Sequence, residues 1–155
     1  MEANSKSIKE FLSGARLYKS LSMEKLDYAL SLYERLTKTT TVPTGMPPGG
    51  GSDRGDVLSG YVDAVDNANI WAEIAKKHRE LRWKFVEEVP LPDIRKRILQ
   101  LRYVYHQPWS EILFNIQSYE KMEIRKLYYE HNRALKDCAD WVNETGKYKE
   151  EIDSL

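Results

Sequence analysis

From Tyr61 to Phe85 apolar side chains return at every third or fourth position: Tyr61, Ala64, Ala68, Trp71, Ile74, Ala75, His78, Leu81 and Phe85. That spacing places them on one face of an α-helix. The helix it predicts, from about Val57 to Glu88, is about 45 Å long at 1.5 Å per residue. A small globule cannot cover such a length, so the helix must lie along a comparable partner. Part of that partner is at hand upstream, where Ile8, Phe11, Leu12 and Ala15, then Leu26, Ala29, Leu30, Tyr33 and Leu36, repeat the same period. This segment, from about Ser5 to Thr37, is expected to break near Ser20–Ser22 and to form an antiparallel hairpin with the longer helix. A second copy of the chain is expected to supply the remaining cover, with the hairpin as a dimerisation arm of a homodimer. The two helices are joined by TKTTTVPTGMPPGGGSDRGD, whose prolines remove helix donors and whose glycines open the backbone, so residues 39–56 read as a disordered loop.

Pro90 and Pro92 end the long helix, and Asp93 stands where the next begins. Ile94, Ile98, Leu101 and Tyr105 mark its buried side. Pro108 then opens a short helix with Trp109, Ile112, Leu113 and Ile116 facing inward. A turn at Gln117–Tyr119 follows, with Ser118 as the expected N-cap of a last helix from about Tyr119 to Val142 and Glu120 near its positive end. That helix is expected to bury Ile124, Leu127, Tyr128, His131, Ala134, Leu135 and Cys138. Two helices joined by so short a turn have the spacing of a helix-turn-helix, in which the second can lie in a DNA major groove. The chain is therefore expected to be all-α: a helical hairpin over 1–89, a helix-turn-helix bundle over 90–143 and a flexible acidic tail over 144–155.

The whole-chain charge balances at 24 basic and 24 acidic side chains, so no global field draws it to nucleic acid or membrane. Its distribution is uneven. Residues 93–136 carry nine Lys or Arg and five Asp or Glu, while 137–155 carry two and six. The single cysteine, Cys138, cannot form an intramolecular disulfide and sits among helix formers, which reads as a buried apolar side chain. The first twenty residues lack the apolar run of a signal peptide, and no window approaches the roughly 18 apolar residues of a membrane span. A cytoplasmic protein is expected.

Catalytic and metal chemistry find no foothold. His78, His106 and His131 are far apart and lack matching Cys or acidic spacing, so no metal site is expected. The glycine-rich loop lacks the Gly-Lys-Ser/Thr ending of a phosphate-binding loop. Arg54-Gly55-Asp56 is a three-residue match to an adhesion motif, of a length that arises by chance. Glu87 and Glu88 are neighbours on a helix and point apart, so they make no acid–base pair. The expectation is a non-enzymatic protein without a cofactor.

Taken in order, FLSGARLYKSL, LYERLTKTTT, GMPPGGGSD, the long middle helix, LQLRYVYHQPWSEI and HNRAL resemble the ArpU-like regulators of phages and prophages of Gram-positive bacteria, whose C-terminal part is similar to region four of sigma factors. The resemblance covers most of the chain. It implies a helical arm joined to a DNA-binding head that acts in phage gene expression inside a bacterial host, with double-stranded DNA as a partner and RNA polymerase as a second candidate. The turn departs from the pattern: Gln117-Ser118-Tyr119 stands where a small residue is usual, and about four extra residues separate Trp109 from His131.

If the last helix buries its apolar stripe, its opposite face presents Lys121, Arg125, Lys126, Tyr129 and Arg133, with Ser118 at its start. These are the expected DNA contacts, since such cations neutralise phosphates and Arg pairs with guanine in the major groove. The competing reading is an ordinary solvated face, favoured by Glu120, Glu123 and Glu130. Two other functions fit the same scaffold: an interaction module that inhibits a host defence or transcription protein, and a DNA-packaging or assembly component.

Overall fold

A computed structural model describes residues 2–39 and 51–154; of Thr39 and residues 51–54 only the backbone is described. Within them the chain is all helical. Its elements are α1 (Ser5–Thr39), α2 (Gly51–Glu88), α3 (Asp93–Leu99) continuing into a π-helical turn (Gln100–Val104), α4 (Trp109–Gln117), α5 (Ile124–Thr145) and α6 (Lys149–Asp153). The helices α1 and α2 make the expected long hairpin. Residues 2–17 and 77–154 form one compact unit, the head, and residues 18–76 form a second, the arm. The head thus takes one end of each long helix, where the sequence suggests a division at residue 89.

Helix α1 opens on reciprocal bonds: the Ser7 amide donates to Asn4 Oδ1 and the Asn4 amide to Ser7 Oγ, each at 2.9 Å. Two donors that the helix itself leaves unsatisfied are thereby closed. The helix runs without interruption through Ser20–Ser22, and α2 begins at Gly51, six residues before the expected Val57. The rest of the expected loop, 40–50, lies outside the described residues. Leu26, Leu30 and Tyr33, expected inside, are exposed, whereas Ala29 and Ala64 are buried as expected, together with Leu32 and with Tyr61 and Val65 beside them.

The head has two apolar clusters. The larger joins Ile8, Phe11 and Leu12 of α1, Phe85 and Val86 of α2, and Leu135, Cys138 and Val142 of α5. Phe85 is its centre, with edge-to-face contacts to Phe11, Trp141 and Tyr148 at centroid distances of 5.3, 6.1 and 5.1 Å. The smaller cluster joins Ile98, Leu101, Ile112, Ile116, Met122 and Leu127 and is the core of the helix-turn-helix. Helix α3 and its π turn stand between the two. Leu99 and Tyr103 face the first, while Ile98 and Leu101 face the second.

The π turn explains a displaced residue. Adding one position to the repeat rotates the downstream face, so Tyr103 and Val104 are buried and Tyr105, expected inside, is exposed. The tail also differs from expectation. Gly146 ends α5 at φ +70°, Tyr148 turns the chain, and the short α6 returns Ile152 to the larger cluster. One apolar residue among charges is enough to fasten the segment because its neighbours Tyr148 and Trp141 pack there too.

Arg82 is buried at 3% exposure. Its Nε donates to the Phe11 carbonyl at 3.0 Å and its Nη1 to His78 Nδ1 at 2.7 Å, and its guanidinium lies 4.6 Å over the Phe11 ring. Gly14 makes room for it: a Cβ there would lie 2.7 Å from Arg82 Nη2. Gly14→Ala gains about 1 kcal/mol of helix propensity and loses about 1–3 kcal/mol to overpacking against a side chain fixed at three points. Net destabilisation is expected in urea unfolding, and a more stable variant would show that Arg82 has room to yield.

Candidate nucleic-acid interface

The turn between α4 and α5 is longer than the sequence suggests, running from Ser118 to Glu123. Ser118 is not the N-cap of α5. It closes α4, with its hydroxyl donating to the Asn115 carbonyl at 2.7 Å, and Glu123 occupies the N-cap position. Met122 dictates the delay. Its side chain is buried among Ile98, Ile112, Ile116 and Leu127, and Gln117 Nε2 holds the Met122 carbonyl at 3.2 Å. Were the helix to start at Tyr119, Met122 would lie in its first turn instead of in the extended approach that carries it inward.

From Ile124 to Lys136 the exposed residues of α5 are Ile124, Arg125, Lys126, Tyr128, Tyr129, Asn132, Arg133 and Lys136. None is acidic. The carboxylate of Glu130 is turned sideways onto Arg95 of α3, whose Nε donates to it at 2.7 Å, and Arg95 Nη1 reaches Asp137 at the same distance. These two charge-assisted contacts hold the Arg95 guanidinium still more firmly protonated and neutralise the acids of α5 on the flank against α3. Of the residues expected to meet DNA, Arg125, Lys126, Tyr129 and Arg133 share this outer face; Lys121 is exposed within the turn and Ser118 belongs to the end of α4. Lys126 is engaged by Glu120 at 3.0 Å. Asn132 and Lys136 complete the face and are missed by the sequence reading, although steps of seven and eleven from Arg125 lead to them. Ile124 and Tyr128, expected inside, are partly exposed.

Behind the face, rings fix α5 against the start of α4. The Tyr103 hydroxyl donates to His131 Nε2 at 2.7 Å with the rings stacked, and Trp109 stands edge-on to His131 and to Tyr128. Burial, offset in part by the bond to Asn132 and aided by the charges of Lys9 and Arg102, pushes the His131 imidazole down to about 4. Burial likewise pushes the Tyr103 phenol up to about 12. The imidazole is therefore neutral in the fold while in the unfolded chain it titrates near 6.5. Between these values the unfolded state binds more protons, so this group removes stability as pH falls from about 6.5 to about 4, up to about 3 kcal/mol. His131→Gln should flatten that part of the stability–pH curve measured by urea unfolding; an unchanged slope would exclude His131 as its source.

Cys138 is buried in the larger cluster, where burial and then the neighbouring Asp137 push its thiol up to about 12. Thiol reagents are expected to modify it only as the head unfolds, so a fast reaction in native buffer would contradict this packing. Among the described residues no group of three or more His, Cys, Asp or Glu is placed to hold a metal ion, and no helix is long and apolar enough to cross a membrane. Compared with protein-family models, with curated proteins and with solved structures, the chain matches none.

Proposed function

We propose that this protein is a DNA-binding regulator that reads a duplex through α5, with α4 and the turn as its helix-turn-helix support. The observation that carries the reading is the outer face of α5 from Ile124 to Lys136, where Arg125, Lys126, Arg133 and Lys136 are exposed and Glu130 and Asp137 are drawn aside by Arg95. Cations fix the helix on phosphates, while Arg125, Tyr129, Asn132 and Arg133 are of the kinds that read base edges. In the setting that the sequence resemblance implies, the regulator acts in phage or prophage gene expression inside a bacterial cell. Selection from a random-sequence duplex pool tests it. Enrichment of one motif, with affinity that falls steeply as salt rises, is expected, and no enrichment with no salt-sensitive binding would refute it.

The arm supports a homodimer. Met23, Leu26, Leu30 and Tyr33 follow one another at steps of three and four on α1, and Leu58 and Val62 add to the apolar surface of α2; all are at least half exposed. A second arm covers such a surface as in a four-helix bundle and sets the spacing of two half-sites. Leu26→Glu with Leu30→Glu is expected to convert a sedimenting dimer to a monomer and to weaken duplex binding through reduced avidity. A wild-type monomer at micromolar concentration would remove the arm from this role.

A second reading is favoured by Phe114 and Tyr119, 77% and 83% exposed on α4 and in the turn. Aromatic side chains standing in water are typical anchors of protein contacts, and they suit a host protein, whether RNA polymerase recruited beside DNA or a target that the protein inhibits. A stoichiometric partner retained from nuclease-treated host lysate, and released by Phe114→Ala and Tyr119→Ala, would favour that reading; loss of all partners on nuclease treatment favours DNA.

A further inference from the structure

We infer that the head carries a separate pocket for a phosphoryl group, formed by Lys9, Ser13 and Arg16 of α1 together with Arg102, His106 and Trp109. The pocket measures about 100 Å³, room for a compact tetrahedral anion. Lys9, Ser13 and Arg16 are spaced by four and three residues, so one face of α1 brings two cations and a hydroxyl to the same wall. Across from them Arg102 is held in place twice: its Nη1 donates to the Gln107 carbonyl at 3.2 Å, and its guanidinium lies 4.7 Å over the Trp109 ring. A guanidinium fixed in this way presents a preorganised fork to an oxyanion. Among the described residues no acidic side chain lines the pocket.

The backbone of His106 is the second sign. Its φ of +54° lies in the left-handed region, at the point where the π turn ends and the Gln107 amide closes onto the Leu101 carbonyl at 2.9 Å. Glycine takes this helix-ending position at least cost. A histidine there imposes strain, and strain of this kind collects where a side chain has to be delivered to a site. Here the imidazole is delivered beside Lys9, Arg16 and Arg102. The neighbouring His131 registers the same field, since after burial it is Lys9 and Arg102 that hold its imidazole below the usual range.

The phosphoryl group has two possible sources: a backbone phosphate of the duplex, which rests on the DNA-binding reading, and a free phosphate-bearing molecule, which does not. The test uses the full chain. Its thermal midpoint is measured in chloride and with increasing inorganic phosphate at matched ionic strength, with acetate as a planar control. A saturable rise of about 3 °C at phosphate well above its Kd is expected, absent with acetate and abolished in Lys9→Gln with Arg16→Gln. Both residues are exposed, so the variant keeps its fold in chloride. No saturable rise, an equal rise with acetate, or an equal rise in the double variant overturns the pocket. His106→Gly provides a second check: it should raise the midpoint in chloride by releasing strain yet weaken the phosphate response, and a phosphate response equal to that of the parent overturns the pocket as well.

The source is settled by duplex titrations against salt. If the ligand is a backbone phosphate, Lys9→Gln with Arg16→Gln lowers the slope of log affinity on log salt by about one. An unchanged slope, with the phosphate response still abolished, assigns the pocket to a free molecule. Absence of any salt-sensitive duplex binding by the parent refutes the DNA reading alone, because the phosphate response stands or falls on its own measurement.

Discussion

Phe85→Ala is expected to lower the stability of the head by about 3–5 kcal/mol, the usual cost of emptying an aromatic site in a packed core. The ring is fully buried and touches Phe11, Trp141 and Tyr148 edge-to-face. Those partners belong to α1, to α5 and to the turn into α6, so one side chain ties three otherwise separate segments to α2. Few neighbours can collapse into the cavity, since Leu12, Val86 and Cys138 are themselves fully packed. Against a total stability of about 5–15 kcal/mol for a domain, the loss brings the head near its unfolding threshold. Urea unfolding would measure it, and the rate at which Cys138 becomes open to a thiol reagent would report it independently. Phe114→Ala is the matched control: an equal truncation at a ring 77% exposed should change stability by no more than about 0.5 kcal/mol. A loss at Phe85 as small as that at Phe114 would mean that the three segments are not held at this ring.

The helical period made much of this fold readable. Ile8, Phe11, Leu12 and Ala15 are all buried as their spacing predicts, and Pro90, Pro92 and Pro108 stand at helix boundaries because proline tells the same story locally and globally. The departures arise where tertiary packing overrules local preference. Nothing in Gln100–Val104 marks a π turn, because its cause is the need of one helix to face two clusters at once. Glu120, Lys121 and Met122 are good helix formers, so sequence alone starts α5 too early; burying Met122 is what breaks the run. Leu26, Leu30 and Tyr33 have the period of a core face, but period does not say which of two adjacent apolar stripes meets the partner helix. On the candidate site, the spacing of Arg125, Tyr129 and Arg133 was legible, whereas the withdrawal of Glu130 was not, since its partner Arg95 lies 35 residues away.

If each arginine reads a base at about 1–3 kcal/mol, Arg125→Ala with Arg133→Ala is expected to weaken duplex binding by at least about 30-fold, while thermal stability stays nearly unchanged because both side chains are exposed. Lys126→Ala should cost less, since the ammonium is already shared with Glu120 at 3.0 Å and must leave that carboxylate to meet a phosphate. Glu120→Gln should then strengthen binding, because it frees Lys126 and removes a repelling charge from the turn. The salt slope decides what each residue does: removing a cation that sits on a phosphate lowers it by about one, whereas removing a side chain that reads a base relaxes the selected motif at one position and leaves the slope in place. Arg95→Ala extends the argument to a residue that need not touch DNA. With its guanidinium gone, Glu130 and Asp137 return two unpaired negative charges to α5, so affinity should fall although every side chain that faces the duplex is still present. Undiminished binding by the Arg125 and Arg133 double variant would exclude this face as the DNA surface; undiminished binding by Arg95→Ala alone would show that the flank acids do not reach the field that the duplex meets.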